Sequence, residues 1–332
     1  MRQHAKMVLG GSLVRLAHKI PRLRPFLGPL GIRTSVGLFG DRIVTIPMRG
    51  QRSFRLTCLD ESYLAFQLFW RGIDYYEPTT LKLLQGLLKP GAAFLDVGAH
   101  IGFYSLAAAA SVPGIKVVAF EPNPKNFRIL LANAAANGLA NALCEPVAVS
   151  EHEGTAVLYL TESDMSASLM KGFQAEDTRQ IDSITVRTVS LDSYLRDHTL
   201  PGQSVIKVDI EGHETAFFRG ARQTISRNKP DIILEVIYEQ DPEIVCWLKS
   251  LGYRFYPITN EGLVETEAPR LVKRFPLLFL NHLLSARPQH ELASLFDRIA
   301  SATRKVDLLK TSEHFPETEW PQLWRNETET KS

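Results

Sequence analysis

Asp96-Val97-Gly98-Ala99-His100-Ile101-Gly102 is the stretch that decides the fold of this chain. The apolar run before it, Ala92 to Leu95, reads as a strand, and Phe103 to Ala110 after it reads as a helix. Glu121 follows at the end of the next apolar run, Val117 to Phe120. Strand, glycine turn, helix and a second strand ending in an acid describe the site of a nucleotide-type cofactor.

The glycine spacing narrows the cofactor. A dinucleotide fingerprint needs Gly-x-Gly-x-x-Gly, which brings backbone amides close to a pyrophosphate. Here only Gly98 and Gly102 stand, with Ala99 between them, and Asp96 in front would repel phosphate. An acid at that point suits a ligand with an ammonium and a sulfonium, and S-adenosyl-L-methionine carries both. Glu121 would take the two ribose hydroxyls, because a carboxylate accepts two hydrogen bonds at once. The plainer alternative makes Asp96 a turn residue and the glycines mere permission for the turn. The conjunction with Glu121 favours the cofactor.

The chain has 332 residues, 45% hydrophobic and 22% charged, enough for one large domain with additions or for two domains. Net charge is +2, so composition gives no argument for nucleic acid. Cys58, Cys144 and Cys246 are scattered and odd in number, which indicates neither a disulfide framework nor a zinc site and fits a reducing cytoplasm. No apolar run approaches the roughly 18 residues that span a bilayer. Between Met1 and Gly40 stand seven Lys or Arg (Arg2, Lys6, Arg15, Lys19, Arg22, Arg24, Arg33) and no acid. Val8, Leu9, Leu13, Leu16, Ala17 and Ile20 repeat there at helical spacing. Such a helix either lies on an anionic membrane surface or packs on the catalytic domain with its basic face solvated; the second is expected.

The middle of the chain alternates strand and helix. That pattern predicts a Rossmann-like, doubly wound, mostly parallel α/β sheet with helices on both faces. Strands are expected near Ala93 to Val97, Lys116 to Phe120, Leu143 to Val149, Ser204 to Ile210 and Asp231 to Ile237. Helices are expected from Gly102, from the cap Asn123 to Asn137-Gly138, from His213 to Ser226, and from Pro242 to Leu251. Ala156 to Leu160 and Ile184 to Val189 are further β runs. Tyr253 to Ile258 and Leu277 to Leu280 are expected to form an antiparallel edge. The expected division is a basic, partly helical extension (1–60), a catalytic domain (61–285), then a helix carrying Leu292, Leu295, Phe296 and Ile299 with a polar tail (286–332).

Ligands of open α/β sheets bind outside the carboxyl ends of the strands. Those ends carry Asp96, Glu121, Asp209 with Glu211, and Glu235, an acidic rim that tolerates a cationic cofactor. The densest cluster is Lys207-Val208-Asp209-Ile210-Glu211-Gly212-His213-Glu214. Alternation puts Lys207, Asp209 and Glu211 on one side of a strand. The cluster either positions and deprotonates an acceptor hydroxyl, or binds a divalent metal, or forms structural caps and an ion pair. A metal is not expected, because no second supplier of ligands is visible in sequence.

Phe94 to Gly102, Ala119-Phe-Glu-Pro-Asn-Pro124, Ser190-Leu-Asp-Ser-Tyr-Leu195 and Ile206 to Glu214 resemble the signature blocks of FkbM-family methyltransferases. The resemblance covers roughly residues 70 to 282. It implies a class I fold that methylates hydroxyl oxygens on polyketides, sugars and glycolipids. By position it implies that Asp96, Gly98 and Gly102 form the cofactor loop, that Glu121 is the ribose ligand, and that the Asp209 to Glu214 block faces the transferred methyl; Ala99, Asn123 and Glu77 are further expected cofactor contacts. Tyr76-Glu77-Pro78 resembles an element that closes over the cofactor.

The expected activity is therefore S-adenosyl-L-methionine-dependent O-methylation of a glycan, glycolipid or small natural product. His213 is the first candidate base, since it alone in the cluster titrates near neutrality unperturbed. Asp209 and Glu211 are the alternatives. Two rivals stand: N-methylation of an amine held by the acidic rim, and a catalytically inactive scaffold that binds a membrane surface through its basic end.

Overall fold

The computed structural model describes residues 42–310 apart from 49, 60, 140, 141, 162–166, 171–179, 197–200, 202, 260, 261, 271, 275 and 276, together with 9, 12–17, 19, 20, 23, 27, 38 and 39. The polar tail expected at the carboxyl end, and Val8 and most of the amino-terminal arginines, lie outside the described residues.

A short antiparallel hairpin, β1 (Val44–Ile46) and β2 (Phe54–Leu56), comes first. Helices α1 (Tyr63–Arg71) and α2 (Pro78–Leu87) follow. The alternating core begins with β3 (Ala93–Val97), α3 (Phe103–Ser111), β4 (Lys116–Phe120), α4 (Pro124–Ala136) and β5 (Ala142–Glu145). A side sheet interrupts it: β6 (Ala148–Val149), β7 (Gly154–Thr161), β8 (Ala167–Ser168) and β9 (Gln180–Val189). The core resumes with α5 (Leu191–Tyr194), β10 (Val205–Val208), α6 (Glu214–Gly220), α7 (Arg222–Asn228), β11 (Asp231–Glu235) and α8 (Pro242–Ser250). It closes with β12 (Arg254–Pro257), β13 (Val272–Arg274), β14 (Leu277–Phe279), β15 (Asn281–Ser285) and α9 (Gln289–Lys310).

The main sheet has seven strands in the order β12-β15-β11-β10-β3-β4-β5. β11, β10, β3, β4 and β5 pair in parallel, and β15 runs antiparallel to β11 and β12. The sequence advances outward from β3 to β5 on one side and from β10 to β11 on the other. The order therefore reverses between β3 and β10, and a cleft opens at their carboxyl ends. β3 and β11 are buried at every residue, as strands covered on both faces must be.

One hydrophobic cluster takes in Val44 and Ile46 of β1, Phe54 and Leu56 of β2, and the inner faces of α1, α2 and α3. Asn137 fixes this hairpin to the end of α4: its side chain accepts from Arg55 N (2.7 Å) and donates to Arg55 O (2.7 Å). The stripe Leu292, Leu295, Phe296 and Ile299 is the buried face of α9, which packs on α2. Full burial of such a side chain contributes about 1.5–3 kcal/mol. The amino-terminal helical residues 12–17 bury Leu13, Val14 and Ala17 in the same cluster. Leu9, Leu16 and Ile20 stay exposed, as do Arg15 and Lys19. Among the described residues no helix is long and apolar enough to cross a membrane.

Three expected elements change. Leu143 to Val149 is two strands, because Pro146 lacks the N–H to continue the ladder; β5 stays in the main sheet and β6 pairs with β9. His213 to Ser226 is two short helices. Gly220 lies against the Ser150 carbonyl, so close that a Cβ would sit 2.0 Å from that oxygen, and the chain turns at Ala221. Leu277 to Leu280 is not the antiparallel edge. β14 pairs with β13, and the strand inserted beside β11 is Asn281–Ser285. All five of its residues are buried, with Asn, His and Ser among them, so it lacks the apolar pattern that marks a strand.

Candidate active site

The first wall of the cleft is the loop after β3. Gly98 N and Ala99 N both donate to Phe120 O (3.0 and 2.9 Å), tying the turn to the end of β4. Gly98 and Gly102 have φ of +83° and +87°, a region closed to most side chains. Gly98 also backs onto the neighbouring strand: a Cβ there would lie 1.8 Å from Asp209 O. Asp96 Oδ2 accepts from both Ser105 N (2.9 Å) and Ser105 Oγ (2.6 Å), so this acid also anchors the first turn of α3. Burial pushes its carboxyl up to about 6, against the Ser105 hydrogen bond.

Glu121 stands at the end of β4, 6% exposed. Its Oε2 accepts from His100 N (2.7 Å) and its Oε1 from Asn123 N (2.8 Å). Each carboxylate oxygen can accept a second bond, so the group remains able to take two ligand donors. Burial pushes it up to about 7, opposed by these two N–H groups. Asn123 is the cap of α4, accepting from Lys125 N at 3.0 Å.

The second wall gathers acids from distant segments. Carboxylate oxygens of Glu77, Asp209 and Glu235 lie within 4.8 Å of one another. Glu77 precedes α2 in a left-handed conformation (φ 40°) and accepts from the Tyr104 hydroxyl. Asn281, opposite Glu235 across the β11–β15 ladder, donates to Glu77. Lys207 is fully buried; its Nζ lies 2.9 Å from Asp209 Oδ2 and 5.4 Å from the Tyr104 ring centre.

Burial pushes the Asp209 carboxyl up, but the Lys207 ammonium and hydrogen bonds from Glu235 and Lys207 outweigh it and hold it below the carboxylate range. Burial and the Asp209 charge push Glu235 well above that range, and a hydrogen bond joins the two carboxyls. Burial also raises Glu77, with Lys207 opposing. These three residues could hold a metal, yet the Lys207 ammonium already faces all of them.

Beyond Asp209 the chain passes through two left-handed residues, Glu211 (φ 53°) and Gly212 (φ 95°). Glu214 steadies the turn by accepting from Gly212 N (2.9 Å), and Ser168 of the side sheet donates to Glu211 O (2.6 Å). Glu211 Oε2 is buried without a partner, and burial with the Asp209 charge pushes this carboxyl up to about 8. The same turn leads into His213, which meets Ser150 and Glu151. Its Nε2 lies 2.9 Å from Ser150 Oγ, and burial lowers its proton affinity against the pull of Glu151.

The structure thus brings Asp96, Gly98, Ala99, Gly102, Glu121 and Asn123 together on one wall and Glu77, Asp209 and Glu211 on the other. His213 is bonded to Ser150. Tyr104, Ser105, Glu235 and Asn281 join the site although the motif reading gave them no role. Glu235 was visible as a strand-end acid; Asn281 gave no signal, because its strand was misplaced.

A mostly parallel sheet of this order, with a glycine turn after β3 and an acid ending β4, is the class I methyltransferase fold. Residues 96–255 match the methyltransferase FkbM domain, and this domain belongs to the FkbM family of methyltransferases. The chain is 27% identical over 215 residues to the 31-O-demethyl-FK506 methyltransferase FkbM of Streptomyces tacrolimicus, covering 56% of this chain and 82% of that protein. It is 26% identical over 182 residues to the hexuronic acid methyltransferase AglP of Haloferax volcanii, covering 54% of this chain and 71% of that protein. A solved methyltransferase FkbM from Methylobacillus flagellatus KT overlaps at a TM-score of 0.40 and 18% identity, over 67% of this chain and 52% of that one.

Proposed function

We propose that this chain is an S-adenosyl-L-methionine-dependent O-methyltransferase acting on a hydroxyl of a glycan, glycolipid or small natural product. The observation that carries the reading is the shared wall: the glycine loop that fits the cofactor touches the Asp209 carbonyl at the head of the acid cluster. Names of two relatives, one specifying a demethylated oxygen and one a hexuronic acid, support an oxygen acceptor over an amine.

The residues fit the cofactor. Gly98 and Gly102 give the loop after β3 its left-handed turns, Gly98 packs it onto the Asp209 carbonyl, and Glu121 keeps free acceptor capacity for the ribose hydroxyls. Asp96, Ala99, Gly102, Asn123 and Glu77 complete the set that would hold it. Bound, the cofactor supplies an electrophilic methyl group. The chain's own part is to align an acceptor oxygen and remove its proton, contributions that reach about 10² to 10⁴ in rate for the proton alone. Asp209, whose carboxyl Lys207 holds below the usual range, is the base in this reading. His213, at the start of α6, is tied to Ser150 just after β6.

Labelled methyl transfer from S-adenosyl-L-methionine to lipid-linked glycan and small-molecule extracts tests the reading; incorporation only into amines would overturn it. Glu121→Ala is expected to weaken cofactor binding by about 1.5–3 kcal/mol, the worth of a charge-assisted hydrogen bond. Calorimetry showing wild-type affinity in that variant would remove Glu121 from the site. Excess EDTA is expected to leave turnover intact, because Lys207 already provides the cation that the acids face. Loss of turnover with EDTA and its return with Mg²⁺ would recast Glu77, Asp209 and Glu235 as ligands.

A further inference from the structure

We propose that Asp209 and Glu235 together take up the proton that the acceptor loses, and that the positive charge of the bound cofactor keeps that proton off the pair until transfer. The proposal rests on the cofactor assignment above and adds a residue, Glu235, and a charge-coupled step to it.

The first support is the charge balance. Glu77, Asp209, Glu211 and Glu235 converge on a single buried ammonium among the described residues, that of Lys207. All four carboxyls cannot be ionised together in a buried site. The hydrogen shared between Glu235 and Asp209 is what relieves the excess. Asn281, across the ladder from Glu235, is 5% exposed and has a buried Oδ1 without a partner. It adds no positive charge.

The second support is adjacency. Asp209 N donates to Val97 O (2.9 Å), and Gly98 packs on Asp209 O. A cation held by the glycine loop would therefore adjoin the pair and compete with its proton. Opposite charge within about 4–6 Å lowers a carboxyl's proton affinity by about one to three pH units. The groups facing the pair are Lys207, Glu211 and Glu214 along its own segment, Tyr76 and Glu77 before α2, Asp96 on β3, Tyr104 on α3, His100 in the glycine loop, Glu121 after β4 and Asn281 on β15.

The reaction then balances on one wall. The acceptor oxygen's lone pair forms the new C–O bond as the C–S bond breaks, and that pair goes to sulfur. One positive charge disappears from the sulfur as one proton leaves the oxygen. The Asp209–Glu235 pair receives the proton when the charge that excluded it is gone, so the net charge of the site is unchanged.

The test needs no acceptor. S-adenosylmethionine and S-adenosylhomocysteine differ by the methyl group and by one positive charge. Each is titrated into the full-length protein near pH 7 in phosphate and in Tris, whose ionisation heats differ, and the proton count on binding is read from the difference. S-adenosylmethionine is expected to release about 0.5 to 1 proton more than S-adenosylhomocysteine. Glu235→Gln keeps the hydrogen bond to Asp209 but carries no ionisable proton, so the excess is expected to collapse while both ligands still bind. Asp209→Asn gives the same readout should that variant fail to fold. Equal proton counts in the wild type overturn the proposal, as does an excess that survives in both variants. Binding of neither ligand would instead overturn the cofactor assignment beneath it.

Discussion

Gly98→Ala is expected to lower stability by about 2–5 kcal/mol. Holding alanine in the left-handed region costs about 1–2 kcal/mol, and forcing an extra methyl into a packed contact about 1–3 kcal/mol. The contact is with backbone: the new Cβ would lie 1.8 Å from Asp209 O and 2.8 Å from Asp209 C. Neither side can retreat without breaking a ladder bond, since Gly98 N is bonded to Phe120 O and Asp209 N to Val97 O. Gly91 is the internal control, because its φ is also +83° and nothing lies within 4 Å of its missing Cβ. Gly91→Ala should show only the conformational part. Urea unfolding of both variants measures the difference, and equal losses would refute the packing argument.

The same glycine shows why half of the site was legible before the structure. β3, the turn, α3, β4 and Glu121 are neighbours in sequence, and each carries a local signal: an apolar run, two glycines, an acid at a strand end. β4 falls at Lys116–Phe120 in both readings. The acid wall has no such locality. Glu77, Asp209, Glu235 and Asn281 come from four separate segments, and only the strand order brings β11 and β15 beside β10. Glu77 entered the sequence reading through family resemblance alone, and Asn281 not at all. His213 was persuasive as a base because it follows a glycine at a strand end. Its direction depends on two consecutive left-handed residues, Glu211 and Gly212. A glycine announces that freedom; a glutamate at φ 53° does not.

Lys207→Met is expected to cost about 3 kcal/mol at pH 8, the lower end of the 3–5 kcal/mol found when one member of a buried ion pair is removed. The lower end applies because the Asp209 side chain is 21% exposed and keeps some solvent, whereas Lys207 is 1% exposed. Methionine fills similar volume, so the loss reports charge rather than a cavity. The deficit should shrink at pH 5. In the wild type the folded-state proton affinity of Asp209 is depressed, chiefly by Lys207 acting against burial. That contribution is present above the unfolded value of about 3.9 and is lost as pH falls toward the folded value. In the variant burial is opposed chiefly by the hydrogen bonds from Glu235 to Asp209 and from Tyr104 and Asn281 to Glu77, and both Asp209 and Glu77 are expected to bind protons more tightly folded than unfolded. A carboxyl raised in this way costs stability once pH rises through its folded value and costs nothing below the unfolded one. Between pH 8 and pH 5 the wild-type contribution is constant and the variant's penalty falls away, so the gap between variant and wild type narrows. Urea midpoints at pH 5 and pH 8 decide it. A gap that is equal or wider at pH 5 would mean that Lys207 acts through packing against Tyr104, and that the acids are not held by its charge.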